Sequence, residues 1–217
     1  MEWDRELSSN ITSLYLLIVF IVLVYRRNKL DRNIDTYIAS LFIVVFLETF
    51  LNFVKLKNNV IYYVLGSLLF HFLLLYVYYY QFLQTKKLKG LQMLIILLFL
   101  GNYMFFAIDD KTFFTVFPIK TYFVNIILLI LSIGIFFYNT FNSEKIFSLK
   151  SYFPFWLSIS LGVLYLGILP ILVFSKLVGQ EGQLSFSLYS FIMFTINMIS
   201  YTILLVGIFK SKKIDLN

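Results

Sequence analysis

The sequence of 217 residues has no cysteine and only one histidine. Without cysteine it can form neither a disulfide nor a thiolate metal site, and one histidine cannot supply the three-histidine zinc site of seven-helix membrane hydrolases. The last apolar segment has no lysine for a retinal Schiff base, and the sequence contains no phosphate-binding loop. We therefore predict no metal ion and no cofactor, and known enzyme classes are disfavoured.

Charged residues are also scarce. They make up 13% of the chain, against about 25% in soluble domains, whereas 60% is hydrophobic and mean hydropathy is +0.87. A soluble chain of this composition could not cover itself with polar surface. The net charge of +7 comes from residues between apolar segments, where it indicates membrane topology and contact with lipid headgroups. Membrane lipids are thus predicted partners, and nucleic acid is not.

Seven apolar segments are long enough, or nearly so, for a membrane-spanning helix of about 20 residues. Since the connections are too short to hold a folded domain, we expect one all-α domain over residues 1–217. It would be a polytopic membrane protein, a bundle of seven transmembrane helices in which consecutive helices are antiparallel neighbours. The predicted spans are about 7–25, 36–54, 60–84, 91–108, 119–141, 152–176 and 185–209.

Basic residues are unevenly shared between the two sets of helix ends. Most of the 18 Lys and Arg residues lie in loops 26–35, 85–90 and 142–151 and in the tail from residue 210. Because basic loops stay in the cytoplasm, this pattern predicts a cytoplasmic C-terminus and an external N-terminus, in the cell inner membrane. The opposite ends hold Arg5, Lys55, Lys57, Lys111, Lys120 and Lys176.

Ionisable and amide side chains within the apolar segments are candidates for a binding site, because such groups are costly in lipid. With the N-terminus outside, most of them lie between the midplane and the external face, which predicts a ligand-binding pocket there. Alternatively, the amides hold helices together, and Glu48 and His71 form a structural pair. The candidates are Glu48, Asn52, His71, Asn102, Asn125 and Asn197.

Spacing sharpens this hypothesis. Ser40, Val44, Glu48 and Asn52 recur at steps of four residues and share one helix face. Helices two and three must pack antiparallel, and a rise of 1.5 Å per residue puts Glu48 and His71 about 8 Å apart in depth. We therefore predict that they act as one unit, bridged by water or a small polar ligand.

Two packing features of the sequence are open to interpretation. Tyr residues near helix ends, such as Tyr62, Tyr78 and Tyr152, match either an interfacial aromatic belt or a packed core. Ser158 and Gly162, four residues apart, predict a close helix contact.

These features favour a receptor or sensory subunit with a small external pocket and a basic cytoplasmic face for a signalling partner or another membrane protein. A small transporter or proton-coupled carrier using Glu48 and His71 is the alternative. Further alternatives are a lipid-modifying enzyme, with these residues as acid and base, and a purely structural membrane subunit.

The chain also resembles small seven-helix membrane proteins of unassigned function that are common in Bacteroidetes-type bacteria. The features are Glu48 within FLETFLNF, the segment NNVIYYVLGSLLFH, the segment TYFVNIILLILSIGIFFYN and the ending IFKSKK. In that group, the third helix often has a carboxylate where His71 stands, and the seventh often has a histidine near Asn197. The resemblance implies seven membrane helices and no known enzymatic activity.

Overall fold

Seven long helices account for most of the described chain in the computed structural model, which describes residues 5–31, 33–54, 59–177 and 186–213. Two short 3₁₀ segments, Arg27–Lys29 and Glu144–Ser151, lie in connections. The long helices are α1 (Arg5–Arg26), α2 (Ile34–Val54), α3 (Val60–Phe82), α4 (Lys86–Asp109), α5 (Ile119–Phe141), α6 (Phe153–Leu177) and α7 (Phe186–Lys210).

Six candidate spans satisfy the length and hydropathy needed to cross a membrane, and they coincide with six of the predicted segments. The segment missing from this set is α2, whose side chains are described only as far as Phe50. Seven spans therefore stay a prediction. The six are Leu7–Lys29, Val60–Phe82, Lys86–Asp109, Ile119–Phe141, Phe153–Val173 and Ser190–Lys210.

The start of α4 differs from its prediction. Residues 85–90 were expected to form a loop before a helix at residue 91, but α4 begins at Lys86. Thr85 has an extended backbone, and its hydroxyl accepts a hydrogen bond from the backbone N–H of Leu88 at 3.3 Å. This is an N-cap, which satisfies a first-turn donor, and lysine is a good helix former. The basic residues of this connection thus lie on the helix itself.

The chain divides into two compact units. The first, here the terminal unit, comprises residues Met1–Leu30 and Lys150–Asn217, and the second, here the central unit, comprises Asp31–Leu149. The terminal unit contains α1, α6 and α7, and the central unit contains α2 to α5. No observation tests the prediction of a single domain over residues 1–217.

Helix α3 lies at the middle of the central unit and packs against α2, α4 and α5. Its side chains Phe72, Tyr76 and Tyr79 are fully buried. The ring of Tyr76 is 5.1 Å from that of Phe99 on α4, and the ring of Tyr79 is 5.5 Å from that of Phe136 on α5. Aromatic pairs at such separations stabilise helix contacts beyond their buried area.

Helix α7 lies between α1 and α6 in the terminal unit. A Cβ at Gly207 would collide with the Cβ of Trp156 on α6, and one at Gly167 would lie 2.9 Å from the Cδ1 of Ile196. Glycine at both positions lets the helices approach. By contrast, a Cβ at Gly162 would meet no atom of a neighbouring helix within 4 Å among the described residues, so the close contact predicted from Ser158 and Gly162 is wrong at Gly162.

The tyrosines near helix ends divide between the two interpretations. Tyr62 is 47% exposed, as expected for an interfacial ring, whereas Tyr78 and Tyr152 are buried. The ring of Tyr78 packs 4.9 Å from that of Phe82 and 5.9 Å from that of Tyr37. Tyrosine at the end of α3 therefore forms core rather than an interfacial belt.

Candidate polar site in the central unit

The first half of α3 is wound as a π-helix over Tyr63–His71. A π-helix is rare, usually lasts a single turn, and occurs frequently at functional sites. Side chains of two neighbouring helices bond to carbonyls of this segment. Asn125 on α5 donates to the Leu68 carbonyl at 3.4 Å, and the hydroxyl of Ser40 on α2 lies 3.2 Å from the His71 carbonyl. Helices α2 and α5 therefore both form hydrogen bonds to the backbone of the π segment.

His71 ends the π segment and is buried, with 6% of its surface exposed. Its Nδ1 lies 2.7 Å from the Ser40 hydroxyl and 3.3 Å from the Ser40 carbonyl oxygen. The neutral ring either accepts from the hydroxyl or donates to Ser40, depending on its tautomer. Because Ser40 is fully buried, this contact satisfies polar groups of two helices away from water.

Glu48 is half-buried on α2. It shares a helix face with Ser40, as predicted, but lies two turns away. At 1.5 Å per residue these turns span about 12 Å. The His71 ring thus lies at the level of Ser40 rather than of Glu48. Asn52, one turn beyond Glu48, has a side chain outside the described residues.

Asn102 and Asn125 are brought together. The amide nitrogen of Asn102 on α4 donates to the side-chain oxygen of Asn125 at 3.2 Å and lies 3.5 Å from the Thr121 carbonyl oxygen. Asn125 is fully buried, and its own carbonyl accepts from the Tyr76 hydroxyl at 2.8 Å. Two candidates from separate sequence segments therefore belong to one network that joins α3, α4 and α5.

Gln92 is a member of this network that the sequence reasoning missed. It is fully buried on α4, and its amide nitrogen donates to the Tyr76 carbonyl at 3.1 Å and to the Ser132 hydroxyl at 3.0 Å. The predicted fourth span begins at residue 91, which puts Gln92 at its very end, whereas α4 begins at Lys86. A cap at Thr85 would have signalled that Gln92 lies well inside the helix.

Several buried polar atoms of the network have no hydrogen-bond partner among the residues that the structure describes. They are the Tyr103 hydroxyl, the Thr121 hydroxyl and the side-chain oxygen of Gln92. Tyr103 and Thr121 adjoin the Asn102 contact, and the Tyr103 ring packs 5.2 Å from that of Phe113. Buried polar groups usually have a partner, which can be an ordered water or ligand. Gln92 lies eleven residues before Tyr103, about 17 Å along α4, so these atoms do not belong to one binding site.

The sixth candidate, Asn197, belongs to the terminal unit. Its amide donates to the Met193 carbonyl of its own helix at 2.9 Å. Near it, Ser200 on α7 and Ser160 on α6 are buried, with their hydroxyl oxygens 2.9 Å apart. The serine pair joins two helices, whereas the bond of Asn197 is local.

Two ionisable groups outside the spans have shifted pKa values. Side-chain and backbone hydrogen bonds from Thr112, at 2.7 and 2.8 Å, lower the pKa of Asp110 in the connection between α4 and α5. Burial lowers the pKa of Lys145, an effect that Asp31 partly opposes. Among the described residues, no group of His, Asp and Glu side chains could hold a metal ion.

The protein is an integral membrane protein with several spans. Six helices meet the requirements for crossing a bilayer, and large apolar side chains such as Leu97 and Phe105 are 59% and 62% exposed. Only a lipid environment suits such surfaces together with buried polar networks. The chain matches no protein-family model, no curated protein and no solved structure. No family is therefore identified, and the resemblance to small seven-helix bacterial proteins stays a prediction.

Proposed function

We propose that this membrane protein is a receptor-like or sensory subunit whose small polar ligand binds at the network around Asn102 and Asn125. The observation that carries the proposal is the meeting of this network with the π segment of α3. The amide of Asn125 bonds at once to Asn102 and to the Leu68 carbonyl within that segment. A ligand that bonded to the Asn125 amide in place of Leu68 would leave the Leu68 carbonyl of α3 without this hydrogen bond.

In this proposal the π segment of α3 has two conformations, one wound as a π-helix and one as an α-helix. Conversion of a π turn to an α turn removes the bulge and changes the register by one residue, or about 100° of rotation at 3.6 residues per turn. Such a shift would rotate the rest of α3, including His71 and its contact with Ser40. A ligand signal needs an element with two arrangements that the ligand binds unequally.

We also propose seven spans, with α2 as the seventh. This helix has 21 residues, enough to cross a bilayer. Its contacts with α3 run antiparallel from the Thr36–Gln81 bond, through Ser40 and His71, to the packing of Leu47 against Gly66. Along α2, from Thr36 to Leu47, these contacts cover about 17 Å at 1.5 Å per residue, more than half of the bilayer core of about 30 Å.

Charge placement then favours an external N-terminus and a cytoplasmic C-terminus, in a cytoplasmic membrane. In this orientation Glu48, Asn102, Asn125 and the π segment lie in the outer half of the central unit. The basic ends of the helices would face a cytoplasmic signalling partner.

A structural subunit is the second candidate. It is favoured by the amides of Asn102, Asn125 and Gln92, which all bond to protein atoms of neighbouring helices. Such bonds hold membrane helices together without any ligand. The carrier and lipid-modifying alternatives rest on the sequence argument alone.

A thermal-shift panel distinguishes the two candidates. Purified protein in detergent is heated with amino acids, short carboxylates and sugars as probes, for the wild type, Asn125→Leu and Asn197→Leu. A sensory site predicts that one probe class raises the melting temperature of the wild type and of Asn197→Leu but not of Asn125→Leu. Equal shifts in all three proteins, or no shift with any probe, would support the structural subunit instead.

A further inference from the structure

A cleft of about 960 Å³ lies between the start of α4 and the end of α5. Its volume falls in the range of about 300–1,000 Å³ typical of small-molecule sites. The bond of the network between Gln92 and Ser132 lies at the level of the cleft, but neither residue lines it. Asn102 and Asn125 lie nearer the other end of the two helices. The lining residues are Gln84, Thr85, Lys87, Leu88, Leu91, Ile130, Leu131, Gly134, Ile135, Tyr138, Asn139 and Asn142.

The cleft has a polar end and an apolar end. Lys87, Asn139 and Asn142 are at the end where the two helices reach the membrane boundary. Leucine and isoleucine side chains line the part that extends along the spans. A ligand that fits both ends has a polar head and a hydrocarbon chain.

The polar rim is held in place by hydrogen bonds. The amide of Asn139 accepts from the backbone N–H of Gln84 and donates to the Phe82 carbonyl, each at 3.2 Å. Thr85 caps the first turn of α4. The rim therefore needs little ordering when a ligand binds, which lowers the entropic cost of binding.

Gly134 lines the cleft and has no side chain to fill it. In the part of the chain that the structure describes, a Cβ at this position would meet no neighbouring atom within 4 Å. The neighbouring Leu131 is 52% exposed and Tyr138 is 63% exposed. A large side chain at Gly134 would therefore occupy the cleft without displacing core atoms.

Charge favours an anionic ligand. Lys87 lines the cleft, with Lys86 and Lys89 beside it in the first turn of α4. No aspartate or glutamate occurs in residues 86–108 or 119–141. Basic pockets between helices near the cytoplasmic side are typical sites for acidic lipid headgroups.

We propose that this cleft binds one anionic phospholipid, with the phosphate at Lys87 and the polar rim and an acyl chain along the apolar wall. A zwitterionic lipid offers the same hydrocarbon but a headgroup without net charge. The lysine should therefore set a preference for acidic lipid over zwitterionic lipid.

Lipid exchange in nanodiscs tests the proposal. Full-length protein is reconstituted in equal phosphatidylglycerol and phosphatidylcholine, extracted gently, and its retained lipid is quantified by native mass spectrometry. The wild type should retain phosphatidylglycerol about fivefold over phosphatidylcholine, the effect of about one lysine near a headgroup. Lys87→Gln should lose this preference, and Gly134→Leu should retain neither lipid as a tight adduct.

Two variants serve as controls. Gly101→Leu adds the same side chain at an open glycine of α4, and Lys111→Gln removes a charge from the connection that follows α4. Both should retain lipid like the wild type. Circular dichroism checks that each variant is folded. If Gly134→Leu loses helix content, the result for Lys87→Gln alone decides the test. Equal retention of both lipids by the wild type, or an unchanged preference in Lys87→Gln, would overturn the proposal.

Discussion

The hydroxyl of Ser40 lies 2.7 Å from Nδ1 of His71 and joins α2 to α3 where the π segment ends. Both residues are buried. The single histidine therefore contacts a serine of α2, and the carboxyl that the sequence favoured lies two turns further along that helix.

We predict coupling between Ser40 and His71 in a double-mutant cycle of Ser40→Ala and His71→Phe. Their interaction should contribute about 0.6 kcal/mol, and at most about 1.7, to the free energy of unfolding, as for hydrogen bonds between membrane helices. Unfolding in a mixed-micelle titration supplies the measurement. Thr49→Val is the control, because among the described residues its hydroxyl bonds to the Val45 carbonyl of its own helix, and it should not couple to His71.

A second cycle, with Glu48→Gln and His71→Phe, tests whether these two residues act as one unit. Residues more than about 7–10 Å apart usually add within about 0.5 kcal/mol, and the distance along α2 predicts additivity here. Strong coupling would instead support a bridging water or ligand between Glu48 and His71.

Asn125→Leu should lower the free energy of unfolding by about 1–3 kcal/mol, because it removes bonds to Leu68 and Asn102 from a buried site. Asn197→Leu is the matched control, since the bond that its amide makes to Met193 is local. A smaller loss is expected there. Equal losses in the free energy of unfolding of the two variants would mean that the network stabilises the fold no more than a local hydrogen bond does.

Gly207→Ala should destabilise the protein by about 1–3 kcal/mol through overpacking. The added methyl group would meet the Cβ of Trp156, an atom that no rotamer change can move aside. Gly162→Ala adds the same group in open space and should be neutral or stabilising, because alanine is the better helix former. Thermal unfolding of the two variants side by side checks this, and equal midpoints would contradict the close approach of α6 and α7.

Single-cysteine labelling tests the topology, and the chain has no native cysteine to remove. An impermeant thiol reagent added to intact cells should label Lys111→Cys but neither Asn28→Cys nor Ser143→Cys. If α2 did not cross the membrane, residues 28 and 143 would lie on opposite sides whichever way the protein faces. Labelling of only one of these two would therefore leave six spans.

Acid should weaken the connection between α4 and α5. The folded-state pKa of Asp110 is lowered by its bonds to Thr112, so its stabilising effect is present above the unfolded value of 3.8 and is lost as pH falls through the folded value. The protection factors of amide hydrogen exchange at residues 110–115, corrected for the intrinsic effect of pH on exchange, should therefore fall more on acidification than in Asp110→Asn. Asp109→Asn, beside it, should behave like the wild type.

The sequence predicted the helices well because lipid requires long apolar runs. It misplaced the start of α4 because lysines in a capped first turn resemble a loop. The π segment of α3 escaped prediction, since a change in hydrogen-bond register leaves no mark on composition. Asn102 and Asn125 were both recognised as candidates, but only packing reveals that they contact each other and that Ser40, not Glu48, meets His71.

The connection between α3 and α4, residues 83–85, has a consequence for biosynthesis. So short a link means that the two helices enter the bilayer as a hairpin, with the Gln92 amide already able to bond to Tyr76. The Phe82 carbonyl and the Gln84 N–H find their side-chain partner, Asn139, only when α5 arrives. Until then the hairpin exposes polar backbone near the headgroups, where water can solvate it, and α5 completes the assembly by replacing that water.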